Sequence, residues 1–145
     1  MNQTNNEPYR SIDEIEEIVR RFEACTFGAG QFHHREHLTV VLLYLWKFPM
    51  AEAHARMREG LYKFLSHHGH GRRKYHETIT IFWLKRVRAL VDDAEEGLSP
   101  VEVANKVMEA CREARLVFAY YSRELIDSDE ARENWIEPDL KALDF

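Results

Sequence analysis

Three histidines stand in the first turns of two apolar helical patterns, and their types and spacing suit a transition-metal centre. In Phe32-His33-His34-Arg35-Glu36-His37-Leu38, His34 and His37 are three residues apart and share one face of any helix that starts there. His76 heads a second pattern, in which His76, Ile79, Thr80, Trp83, Val87, Leu90 and Ala94 recur at helical spacing. Three neutral imidazoles around an open position are what a catalytic Zn²⁺ or another divalent first-row metal takes, because imidazole is a borderline donor that need not be buried as an anion. Glu77, beside His76, and Thr80, one turn below it, are then the candidate catalytic residues, as water-positioning or supporting groups. The chemistry that follows is metal-dependent hydrolysis or a lyase reaction on a small polar substrate.

The same residues allow another reading. First-turn histidines also line pockets that hold no metal, or simply finish a helix end, and a chain with eight histidines brings some together by chance. A non-catalytic protein, binding a small molecule in a His-lined pocket or acting through a homodimer interface, therefore stands beside the enzyme. His33-His34-Arg35-Glu36-His37 also matches His-x-x-Glu-His, the inverted zinc-peptidase order, with His33 and His37 on the metal and Glu36 as base. That pattern belongs to larger domains with a distant glutamate ligand, so His34, His37 and His76 are preferred. No Glu-x-x-His occurs, which sets aside ferritin-like di-iron chemistry, and nucleotide glycine loops and a serine nucleophile elbow are missing too. Arg72-Arg73-Lys74 either holds a phosphate or carboxylate at the mouth of the site or is a solvated loop. His54 reads as a surface or boundary residue, and His68 as a member of an apolar stripe.

These residues need helices to position them. Ser11-Ile12-Asp13-Glu14 has the capping-box spacing and opens a first helix that runs to about Thr26, with Gly28-Ala29-Gly30 breaking the chain. The second helix is apolar nearly all round through Trp46, which makes it central. Pro49 opens the third, which ends at Gly69; the fourth runs from His76 to about Glu96. Ser99-Pro100-Val101-Glu102 caps a fifth that continues to Tyr121, and a short helix follows from Ser128 to Trp135. The class is all-α, an antiparallel bundle of five main helices plus a short C-terminal helix, with residues 1–10 as a flexible tail and 11–145 as one domain. Simple up-and-down connection brings the N-termini of helices two and four to one end. The apolar segment after Trp135 covers that end or packs along the side.

A chain of 145 residues, 45% hydrophobic and 31% charged, buries a full core within one domain. Its 20 basic against 25 acidic residues give a formal charge of −5, which provides no global field for nucleic acid or anionic lipid. The longest apolar run, Leu38 to Trp46, is short of the roughly 20 residues that span a bilayer. Met1 to Tyr9 has no apolar run of a signal peptide, and Cys25 and Cys111 fit no disulfide or Cys-x-x-Cys pattern. A cytoplasmic protein with a small-molecule partner is expected, without nucleic acid or membrane.

Three motifs carry a resemblance. Phe32-x-His34-x-x-His37-Leu38, Tyr75-His76-Glu77-Thr78-x-Thr80-x-x-Trp83 and Ser128-x-Glu130-Ala131-Arg132-x-x-Trp135-x-Glu137-Pro138-Asp139-Leu140 are similar to those of a group of small bacterial helical proteins. The resemblance runs from about Phe32 to the C-terminus and implies no activity, but it marks His34, His37 and His76. In architecture alone the chain also resembles the DinB/YfiT-type bundles, which hold a metal with three histidines.

Overall fold

Apolar residues at helical period must be buried against one another, and the computed structural model, which describes residues 7–28 and 30–145, does so with helices alone. They are α1 (Ile12–Glu23), α2 (His34–Lys47), α3 (Met50–His67), α4 (Glu77–Asp92), α5 (Pro100–Ala110), α6 (Arg123–Ile126) and α7 (Asp129–Glu133), with 3-10 turns at Arg72–Lys74 and Ala114–Ala119. The five long helices are the five expected, and the described residues contain no strand.

The centre of the fold is α2. Every residue from Leu38 to Leu45 is buried, and the helix packs against α1, α3, α4 and α5. Such a helix has no polar face to give to water, so it must be enclosed on all sides. Each of its buried leucines and valines contributes about 1.5–3 kcal/mol. Close packing also fixes Gly60 on α3, where a Cβ would stand 2.4 Å from the Phe22 ring of α1.

Several helix ends differ from the expected ones. α4 stops at Asp92, and α5 stops at Ala110 instead of continuing to Tyr121. No glycine or proline marks that second break. Glu113 turns extended and its carboxylate accepts from Arg115 N–H, starting a 3-10 turn that lets Val117, Tyr120 and Tyr121 reach the core. Cys25 follows the end of α1 with φ 55. Ser99 and Glu102 form the capping box, whereas Ser11 makes no side-chain cap and Glu14 takes the Arg10 N–H instead.

The flexible tail expected over residues 1–10 is described only from Glu7 onward. Residues 1–6 lie outside the described residues, as does Ala29. Tyr9, however, is buried: its backbone exchanges two hydrogen bonds with Asn105, and its hydroxyl lies 2.7 Å from Thr39 Oγ1. At the other end, the segment beyond α7 runs along the flank of α4. Thr78 Oγ1 donates to Asn134 O and accepts from Ile136 N–H, Trp135 lies against Tyr121, and Phe145 against Phe82 and Tyr120.

Candidate functional site

The three expected metal ligands are held by three different environments. His34 donates Nε2–H to the carbonyl of Cys111, at 2.8 Å, and packs edge-on against Trp83 with ring centroids 4.8 Å apart. Trp83 stands two turns beyond His76, or about 10 Å along the helix axis, so α2 and α4 are offset in register. His76 is the N-cap of α4. Its Nδ1 accepts from Ile79 N–H at 3.1 Å and its Nε2–H donates to Ile126 O at 2.7 Å, which engages both ring nitrogens. The His37 ring sits beside Phe32, with ring centroids 5.7 Å apart, and makes no hydrogen bond to the described residues. Among the described residues, no group of three or more His, Cys, Asp or Glu is placed to hold a metal ion.

Burial sets the charge state of all three. It lowers the His34 pKa, and the Cys111 carbonyl and Glu113 offset this only in part. It lowers that of His76 likewise, against the pull of the Ile126 carbonyl. His37 is pushed down to about 4, by burial first and then by the neighbouring His34. The three rings are neutral near pH 7.

Glu77 belongs to a second and more organised cluster. As the first residue of α4 it lies beside His54 and Arg58 of α3, which share one face at i, i+4 spacing. Its Oε1 accepts from the Tyr75 hydroxyl at 2.5 Å and lies 2.9 Å from His54 Nε2; its Oε2 accepts from Arg58 Nη2 at 3.0 Å. Burial works to raise the carboxyl pKa, but these hydrogen bonds and the charges of His54 and Arg58 outweigh it and hold the group below its ordinary value. A carboxylate so held is a fixed anion and a poor proton acceptor. Thr80, the other candidate catalytic residue, is buried and donates its hydroxyl to the His76 carbonyl.

This cluster forms one wall of a cavity of about 440 Å³, lined by Arg58, Tyr62, Arg72, Arg73, Tyr75, Glu77, Asp129, Arg132 and Glu133. Four guanidinium groups face three carboxylates there, a local excess of positive charge in a chain of net charge −5. Asp129 pairs with both Arg73 and Arg132. The Arg72 guanidinium lies 4.4 Å above the Tyr62 ring and has no ion pair among the described residues. The Arg72–Lys74 run is thus a pocket wall in its first two members.

Sequence reading missed His54, Arg58, Tyr62 and Tyr75. The available signal was the i, i+4, i+8 stripe His54, Arg58, Tyr62 on an otherwise amphipathic α3, a polar and aromatic row that a solvated face does not need. The chain matches no protein-family model, no curated protein and no solved structure.

Proposed function

We propose that this chain is a small-ligand-binding helical protein, and that its ligand carries an oxyanion, a carboxylate or phosphate, received in the arginine-walled cavity between α3, α4 and α7. The observation that carries the reading is the fixed wall. Glu77 is held from three sides, so Arg58 and Tyr75 are oriented before any ligand arrives, and Arg72 faces the cavity without a carboxylate partner among the described residues. Preorganised guanidinium groups bind oxyanions through charge-assisted hydrogen bonds at little further ordering cost.

The binding reading is favoured over the metal-dependent hydrolase or lyase. A three-histidine centre would require His76 to give up one of two hydrogen bonds, which costs about 1–3 kcal/mol, and to bridge the register offset to His34. Glu77 and Thr80 are both engaged within the protein. The two buried free thiols, Cys25 and Cys111, fit the cytoplasmic setting expected from the sequence.

The test is calorimetric titration with inorganic phosphate and with citrate at low and moderate salt. Saturable binding that weakens with salt is expected, and Arg72→Ala should weaken it by about tenfold or more, since a charge-assisted hydrogen bond contributes about 1.5–3 kcal/mol. Absence of saturable binding of either anion, or unchanged binding by a folded Arg72→Ala variant, would overturn the proposal.

A further inference from the structure

Of the three carboxylates that line the arginine-walled cavity, one is already held as a bound anion would be. A single oxygen of Asp129, Oδ1, accepts from Arg132 Nη1 of the same helix, α7, at 2.6 Å and from Arg73 Nη2 of the Arg72–Lys74 turn at 3.2 Å. Two guanidinium groups from separate elements, converging on one carboxylate oxygen, use the same charge-assisted hydrogen bonds by which arginines receive a carboxylate or phosphate ligand.

Glu77 and Asp129 differ in how firmly they are held. The Glu77 side chain is 14% exposed and is engaged by Tyr75, His54 and Arg58, so it is a permanent part of the wall. Asp129 is 66% exposed and its partner Arg73 is 80% exposed. Ion pairs that open add little, because water solvates both partners well once they part. The helix does not depend on them either. Ser128 Oγ caps α7 by accepting from Ala131 N–H, Ala131 is buried, and Thr78 Oγ1 donates to Asn134 O just past the helix end. Arg132 also donates to Asp127 O at 3.3 Å, which keeps its guanidinium in place when Asp129 leaves; Arg73 has no other ion pair among the described residues and is then free for a ligand.

We propose that Asp129 is an internal occupant of the anion site, and that an incoming oxyanion displaces its carboxylate from Arg73 and Arg132. This rests on the oxyanion reading of the cavity. The native chain then exists in a masked form, with Asp129 paired, and an open form, with Asp129 turned to solvent. A ligand that binds the open form has its apparent affinity reduced by the fraction of molecules that are open. Asp129 thus sets how strong an anion must be to enter, and a second anionic group on the ligand helps it to compete for both arginines.

The experiment is calorimetric titration of the full chain with inorganic phosphate, at one pH and salt concentration, for the native protein, Asp129→Asn and Glu130→Gln, each checked for fold by circular dichroism. Asn keeps the shape of the side chain and removes the competing charge; Glu130, the next residue, is exposed and outside the cavity lining, so Glu130→Gln makes the same change in net charge alone. Asp129→Asn should bind phosphate about three- to tenfold more tightly than the native chain, the range expected for two exposed pairs. Glu130→Gln should change it by less than about twofold, since its charge is screened by salt. In the Asp129→Asn background, Arg73→Ala should take back most of the gain. Unchanged or weaker binding by folded Asp129→Asn, or equal tightening by the two charge variants, overturns the inference. If phosphate binds the native chain and is lost in Arg72→Ala but is indifferent to Asp129→Asn, this inference alone falls and the oxyanion reading stands. If neither the native chain nor Asp129→Asn binds phosphate, both fall.

Discussion

His37 should make the fold acid-labile over a defined range of pH. The ring is packed beside Phe32 without a hydrogen bond to the described residues, and its pKa is lowered to about 4 from an ordinary 6.5. The folded state therefore binds its proton later than the unfolded chain does as pH falls. The stabilisation is fully present above pH 6.5 and is lost progressively down to pH 4. From these two pKa values, linkage gives a loss of about 2 kcal/mol between pH 7 and pH 5, and about 3 kcal/mol by pH 4. His34 and His76 are shifted in the same direction and add to the acid lability of any variant that keeps them. The clean comparison is therefore native chain against His37→Phe, which retains a ring against Phe32 but cannot protonate. Urea denaturation followed by circular dichroism at pH 7, 6, 5 and 4 gives both stability curves. The variant should lose about 2 kcal/mol less than the native chain between pH 7 and 5, a difference of roughly 6 °C in Tm for a domain of this size. Parallel curves for the two proteins would refute the reasoning.

Other perturbations test the fold and the assignment of His76. Gly60→Ala would gain helix propensity in an open helix, but its Cβ meets Phe22 at 2.4 Å, so thermal melting should show a net loss of about 1–3 kcal/mol. His76→Asn keeps an N-cap oxygen and loses the bond to Ile126, whereas His76→Ala loses both; if His76 is a cap, Asn should recover roughly 1 kcal/mol of the stability lost by Ala. Equal stability of the two variants would show that capping is not its role. Thr78→Val removes the hydroxyl that joins Asn134 O and Ile136 N–H to α4, and should cost about 1–3 kcal/mol with faster amide exchange at Ile136.

The fold is legible in the sequence because apolar burial, the largest force that drives it, writes itself as period. The unbroken run Leu38 to Leu45 declares an enclosed helix, and the stripes of α1, α3 and α4 declare which faces meet it. Where period is silent, helix length is overestimated. Nothing local ends α5 at Ala110; the chain turns there because Val117, Tyr120 and Tyr121 find burial in another direction, and that is a tertiary effect. Tyr9 reads as tail because one apolar residue among polar neighbours has no period, and its anchor, Asn105, is remote in sequence.

The candidate site is harder to read, for a reason that concerns helix N-termini in general. The first turn of any helix leaves backbone N–H groups without partners, and polar side chains are placed there to accept them. The same turns, at converging helix ends, are also where ligand groups gather. Residue type alone does not separate the two uses. His76 serves the backbone, with Nδ1 on Ile79 N–H, and Glu36 does the same for the N–H of His33. Glu77, one residue further on, is turned sideways to Arg58 and His54 and becomes part of a pocket wall. What distinguishes them is the neighbouring helix: Ile126 offers His76 a carbonyl, whereas α3 offers Glu77 a row of donors. A first-turn residue is therefore better judged by the i, i+4 row that faces it than by its own identity, and the row His54, Arg58, Tyr62 points to Glu77 and away from His76.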